Sequence, residues 1–508
     1  MHNSPVSACP EAPVDFRPVL HYTAKETWLN DPNGLVWHQG LYHLFYQSNP
    51  FGNVWGNMSW GHATSADLLH WTEHPVAIAC DEEEDVFSGS VVVDYGNTSG
   101  FGTEDDPALV AIYTSAFKAG SRREGKQAQS LAFSTDAGMT WRKYAENPVL
   151  CRDSANFRDP KVFRYEGPAG SYWVMVAVEA QVQEVLLYRS CDLKTWEYLS
   201  SFGPANAAGA EWECPDLFPL VVDGDPGIVK WVLVVNINPG AVAGGSGGQY
   251  FVGDFDGVEF TADPDSLVPA RADGSVDLRR CLWLDWGRDY YAAVSFSNVP
   301  GNRRIMMGWM NNWDYANSLP TSPWRSGMSL AREVELATVD GLPRLVQRPV
   351  LPVDRPEPEH VSRCADLSDS PLRLPGLTRG RAQLIEAEIL PGTARTVTFR
   401  LLSASDGSAA TVLSFDAHTG LLTLDRGQSG QTDFHATFAS TESVTVDLDG
   451  GALRLQVVID RCSVEVFAQD GKYVVTDLVF PLPGDCGTEV HAEGGTATLR
   501  RLSVTSLS

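Results

Sequence analysis

Three acidic motifs stand apart in this sequence: WLNDPNG with Asp31, NFRDPKVF with Asp159, and EWECPDLF with Glu213 and Asp216. Asp31 and Asp159 are 128 positions apart and Asp159 and Glu213 are 54 apart, so only a fold can make them neighbours. Gathered in one pocket, they would supply what cleavage of a glycosidic bond needs: one carboxylate to attack the sugar carbon and one protonated carboxyl to donate to the leaving oxygen. Each motif also has a plainer reading. N-D-P-N-G is an ordinary turn, because Pro32 holds Asp31 extended and Asn33-Gly34 tolerates positive φ. R-D-P can be a buried Arg-Asp bridge, and Glu211 lies on the same strand face as Glu213 and can be confused with it.

The elements that would have to bring these acids together are legible as a repeat. Strand-like apolar runs begin at Tyr42, Ala108, Tyr172, Lys230 and Arg303, with starts separated by 66, 64, 58 and 73 residues. Each follows another strand-like segment that ends in a turn. A repeat of this length built from short strands suits the four-stranded blade of a β-propeller, and five blades fill residues 15 to 345. In such a fold the first strand of each blade runs beside the central channel. Acids placed just before those strands in blades one, three and four then converge on one axial mouth. A second repeat, S-x-D followed by Trp, recurs with Asp67, Asp136 and Asp192. Its Asp is expected to cap a turn and its Trp to pack between blades. A large sandwich of unrelated hairpins is the alternative to the propeller.

After LPRLVQRPV the chain becomes Pro-rich and polar, and 346–375 reads as a linker. Beyond it, period-2 alternation with turns at Thr419-Gly420 and Asp470-Gly471 indicates antiparallel strands with one wet face, a β-sandwich over 376–508. No cluster of acids, His or Cys is evident there, so it is read as support. The expected architecture is therefore all-β: a five-bladed propeller over 1–345 and a C-terminal sandwich.

Composition limits the partners. With 38 basic and 64 acidic residues the formal net charge is −26, which excludes a nucleic-acid binder by bulk charge. No stretch approaches the roughly 20 apolar residues that cross a bilayer as a helix, so no membrane is expected. The first residues, MHNSPVSACPEAPVDF, have neither the basic nor the apolar region of a secretory leader. Nine scattered Cys without a C-x-x-C pair read as reduced thiols, which favours the cytoplasm.

Taken in order, WLNDPNG, FGNVWGNMSWGHATSADLLHW, FSGS, NFRDPK, WECPDLF and GWMNNWDYAN resemble glycoside hydrolase family 32, the fructan hydrolases and invertases. The resemblance covers essentially the whole chain, including LRLQVVIDRCSVEVF. It implies a five-bladed propeller joined to a β-sandwich, a retaining mechanism on β-linked fructofuranosides, and neither metal nor cofactor. Motif by motif, it implies Asp31 as nucleophile, Glu213 as acid/base and Asp159 as transition-state stabiliser. Asn30, Gln47, Trp55, Phe87, Ser88, Arg158 and Trp309 become the expected substrate contacts. For Trp28, Trp60 and Trp313, core packing and sugar contact remain open. Crowding of the acids is expected to raise the pKa of Glu213, with Arg158 keeping Asp159 ionised. The intact Trp55 segment resembles exo-acting members, so release of terminal fructose from inulin, levan or sucrose is expected. Transfer of the fructosyl group to another sugar is the alternative, and a non-catalytic fructan-binding propeller a remoter one.

Overall fold

A computed structural model describes residues 15–168, 170–378 and 380–507. Most of the N-terminal segment read for a leader, with Cys9, lies outside the described residues.

Five antiparallel blades succeed one another along the chain up to Pro349, the fourth and fifth joined into one sheet by a single parallel pair, Val222 with Leu336. Their inner strands are Trp28–His38, Glu84–Val93, Phe157–Gly167, Glu211–Val222 and Tyr291–Ser295. Each inner strand contacts the next, and the fifth returns to the first, which closes the ring of a five-bladed propeller. Two backbone hydrogen bonds secure the closure: Ser297 N–H to Leu35 O and Trp37 N–H to Ser297 O, each 2.9 Å. The continuous apolar runs of the sequence are the second strands, such as Gly170–Glu179, whose Tyr172–Val178 stretch is wholly buried. Each is covered on both faces by neighbouring blades, so alternation is absent. The outer strands Thr72–Ile78 and Glu197–Phe202 are largely wet.

The S-x-D…W segments form the turns leading to the outer strands of blades one to three. Asp67 Oδ1 accepts from Leu69 and His70 N–H, Asp136 Oδ1 from Thr140 N–H, and Asp192 Oδ1 from Lys194 and Thr195 N–H. Trp71, Trp141 and Trp196 each donate Nε1–H to a carbonyl of their own turn and pack on the blade cores.

From His360 the chain forms two six-stranded antiparallel sheets. Phe399, Phe415, Val457, Val464, Val490 and Leu499 are among the residues buried between them. The stretch expected as linker differs in detail. Leu342–Pro349 completes blade five, while His360–Leu367 and Leu372–Leu374 already pair within the sandwich. The connection without strands is thus 350–359, and the polar residues of 360–367 belong to an edge strand. The sandwich also differs from its sequence reading in carrying buried acids: Asp460, Glu465 and Asp477 lie on adjacent strands at 0% exposure. They escape a sequence scan because each is a lone acid in an apolar strand.

Candidate active site

All five inner strands break register near the same end of the channel. The breaks fall between Leu29 and Pro32, Phe87 and Gly89, Arg158 and Lys161, Glu213 and Asp216, and Tyr291 and Val294. A bulge leaves a residue out of the ladder and re-aims its side chain. The sequence places Pro32, Pro160 and Pro215 at these breaks, where a missing N–H removes no ladder bond. Asp159, Cys214 and Ala292 take positive φ of 62°, 45° and 52°. The acids expected just before the strands therefore lie inside them, at bulges.

A cavity of about 400 Å³ opens at these breaks, lined by Asn30, Asp31, Gln47, Trp55, Phe87, Ser88, Arg158, Asp159 and Glu213. Every expected site residue except Trp309 is thus on one wall or another. Trp309 is fully buried, its ring centroid 4.8 Å from that of Trp313, and it is Trp313 that lines the cavity. The strand Ile305–Met310 carries Trp309 into the core, whereas Trp313 follows the strand end. Trp28 and Trp60 are also buried. Asp216 is 1% exposed and away from the cavity, accepting from Ser295 N–H at 2.7 Å with Lys161 Nζ at 3.4 Å.

Asp31 is fixed by two neutral donors. Asn30 Nδ2–H donates to Oδ1 at 2.9 Å and Ser88 Oγ–H to Oδ2 at 2.7 Å. Asn30 is itself oriented by Trp28 Nε1–H, 2.7 Å from its Oδ1. Asp159 accepts from Cys214 N–H at 3.0 Å, and its own N–H donates to Thr114 Oγ1 at 2.9 Å. Glu213 accepts from Tyr291 O–H through Oε2, and its Oε1 is 3.1 Å from Arg158 Nη2. The Cys214 sulfur lies 3.6 Å from Asp31 Oδ2 and 3.7 Å from Asp159 Oδ2. Burial and the adjacent carboxylates push this thiol's pKa well above the usual range, so it stays S–H.

Burial raises the pKa of Glu213; Arg158 opposes this, and the Asp31 charge adds to it. Asp159 behaves differently from the expectation. Its pKa is pushed up to about 7 by burial, which Arg158 does not overcome. The geometry gives the reason: Arg158 Nη2 is 2.6 Å from Glu211 and 3.1 Å from Glu213, while Nε is 3.9 Å from Asp159. The guanidinium serves the glutamates first. Sequence reasoning also missed Tyr291 and Cys214 as members of the site. Cys214 sits inside a recognised motif, but Tyr291 carries no signal beyond being aromatic in an apolar strand.

A bulged ring of strands that presents three carboxylates to one pocket is the arrangement of a propeller glycosidase. Residues 21–349 match the glycosyl hydrolases family 32 N-terminal domain, and residues 358–506 match the family 32 C-terminal domain. A levanase of Bacillus subtilis (strain 168) is 44% identical, over 96% of this chain and 70% of that protein. An extracellular exo-inulinase of Aspergillus awamori is 38% identical over 95% and 92% of the two chains. The crystal structure of exo-inulinase from Aspergillus awamori superposes with a TM-score of 0.90 at 36% identity, covering 98% of this chain and 99% of that one. A β-fructofuranosidase structure from Schwanniomyces occidentalis gives 0.84 at 31%, over 96% and 97%. This chain belongs to glycosyl hydrolase family 32. It is a glycoside hydrolase with the family's two-domain, all-β fold. Among the described residues no helix is long and apolar enough to cross a membrane.

Proposed function

We propose that the protein is an exo-acting, retaining β-fructofuranosidase that releases terminal fructose from fructans and sucrose. The observation that carries this is the convergence of Asp31, Asp159 and Glu213, from three blades, on one cavity in a chain so similar to a levanase and an exo-inulinase. Exo action is supported by the segment that carries Trp55. Asn317 Oδ1 accepts Trp55 N–H at 3.1 Å, and the Trp55 ring stands edge-on to Phe87, so one side of the pocket has a fixed wall.

Asp31, held by Asn30 and Ser88, attacks the anomeric C2 while Glu213 gives its proton to the leaving oxygen. The bond from C2 to that oxygen breaks as the bond to Asp31 forms. Glu213, now ionised, takes a proton from water, which attacks C2 and frees Asp31 with the original configuration restored. Asp159 faces the ring hydroxyls. Burial raises the pKa of both Asp159 and Glu213, and the proton given to the leaving oxygen is the one on Glu213.

The relatives named extracellular favour release from the cell over the cytoplasmic location drawn from cysteine usage. Assay of culture medium against cell lysate decides between them. For function, wild-type and Asp31→Asn protein are incubated with sucrose, inulin and levan. Fructose alone from the earliest time, first formed as the β-anomer, is expected from wild type. Early oligosaccharides would establish endo cleavage or transfer, and an active Asp31→Asn variant would overturn the nucleophile.

A further inference from the structure

We propose that Glu211 is a positioning residue that sets how firmly Glu213 holds its proton, by holding the Arg158 guanidinium partly away from it. This rests on the reading of Glu213 as acid/base. Glu211 and Glu213 are two residues apart on a regular stretch of strand, so their side chains share one face. One nitrogen, Arg158 Nη2, serves both, and it lies closer to Glu211, at 2.6 Å, than to Glu213, at 3.1 Å.

The groups facing Glu213 come from four blades: Asp31 from blade one, Arg158 and Asp159 from blade three, Glu211 and Cys214 from its own strand, and Tyr291 from blade five. Arg158 is the single cation among them, and its side chain is only 7% exposed. Proton affinity at Glu213 therefore turns on how closely that one charge approaches. A guanidinium free to settle on Glu213 would form a charge-assisted pair that favours the ionised form, and an acid that is already ionised cannot protonate the leaving oxygen. Glu211 opposes this by two routes. It takes up part of the guanidinium's donor capacity, and its own charge disfavours a second carboxylate beside it. Both routes act in one direction, so removing Glu211 lowers the pKa of Glu213 whichever dominates. Glu211 is 41% exposed, which keeps its own charge solvated while its inner oxygen reaches Arg158. Its other oxygen has Gln181 Nε2 at 3.4 Å, a contact that steadies the side chain toward the pocket.

The test is the pH profile of kcat/KM on sucrose for wild type, Glu211→Gln and Glu211→Asp, whose alkaline limb reports the acid/base in the free enzyme. For Glu211→Gln the limb moves to lower pH by about half to one unit, scaled down from a fully buried neighbour because Glu211 is partly solvated. Glu211→Asp falls between it and wild type, and kcat on the acidic side is retained within about threefold. A limb that stays in place while KM rises would make Glu211 a sugar contact only and overturn the proposal, as would a shift to higher pH. Glu213→Gln separates the two readings. If that variant keeps the wild-type alkaline limb, the acid/base assignment itself fails, whatever Glu211→Gln does.

Discussion

At the axial pocket Asp31, Asp159, Glu211 and Glu213 face one cation, Arg158. Where the sandwich meets the propeller, Asp285, Asp460 and Glu465 face two, Arg332 and His21. The interface group is wholly buried, while the pocket group is largely buried except at Glu211, and the two settle into different states. In the pocket burial prevails, and Asp159 and Glu213 hold their protons to higher pH. At the interface burial also pushes the pKa of Glu465 up, but Arg332 at 2.8 Å and His21 at 2.8 Å overcome it and hold the group down to about 2. Asp460 is lowered in the same manner by His21 and by the backbone N–H groups of Val19 and Leu20. Asp285 stays raised by burial in spite of Arg332. The lesson is one of charge balance. A surplus of acids makes a proton donor, and near-neutrality with every oxygen bonded makes a permanent cross-link between domains.

The comparison breaks first at Glu213. Glu213→Gln removes the donor without changing shape, and kcat on sucrose is expected to fall by about 10²–10⁴, the usual share of general acid catalysis. The melting temperature should not drop. Next comes Arg332→Met, which strips the cation from Asp285 and Glu465 and leaves Thr476 Oγ1 without the guanidinium now 2.7 Å away. Urea unfolding is expected to show a loss of about 3–5 kcal/mol, because the buried Asp285 loses its cation and Glu465 keeps only His21 of its two. Activity per folded molecule should stay near wild type. If Arg332→Met lowers kcat but not stability, the two clusters do not divide function and support as described.

How far these clusters can be seen in the sequence differs, each for its own physical reason. The propeller was legible because second strands buried on both faces appear as continuous apolar runs at a regular spacing. Asp31, Asp159 and Glu213 stand out in the sequence because their motifs recur at matching places in the repeat and resemble family 32; that Pro32, Pro160 and Pro215 mark bulges is visible only in the fold. Tyr291 does not stand out, being only an aromatic in an apolar strand, and blade five makes its bulge with Ala292 and Ala293. Trp309, expected at the sugar, lies in the core, and Trp313, left open, lines the cavity, because Trp313 comes three residues past the end of the strand that buries Trp309. The interface cluster was invisible for another reason. Arg332, Asp285, Glu465 and His21 each stand alone in their own segments, and only docking of the two domains unites them.

The crowding of acids in the pocket also makes stability depend on pH. The pKa of Asp159 is raised to about 7 in the folded protein from an ordinary 3.8, so between those values the native state retains a proton that the unfolded chain has lost. Folded stability therefore falls as pH rises from about 4 to 7 and stays lowered above. Asp159→Asn cannot ionise. It should be inactive, yet more stable than wild type by about 2–4 kcal/mol at pH 8, with no advantage near pH 4. Thermal melts across that range would show the gap opening with pH, and a constant gap would mean that Asp159 is not held neutral by its surroundings.

The smallest expected effect lies at His21, and it runs with the opposite sign. Burial works to lower its pKa, but Asp460 at 2.9 Å and Glu465 at 2.8 Å raise it from 6.5 to about 9. A cation held this way stabilises the fold fully below about pH 6.5, and its contribution disappears as pH climbs through 9. At the acid end the contribution of Glu465 is lost as pH falls from 4.5 toward 2. The cross-link is therefore strongest between about pH 4.5 and 6.5, a range across which the stability held by the Asp159 proton is steadily being lost. His21→Gln should lose about 1–3 kcal/mol at pH 5.5, and the deficit should shrink by pH 9.5 as wild-type His21 gives up its proton. A deficit that does not change with pH would mean that His21 is neutral in the fold. The interface would then be a hydrogen-bonded joint, and its contrast with the pocket would rest on Arg332 alone.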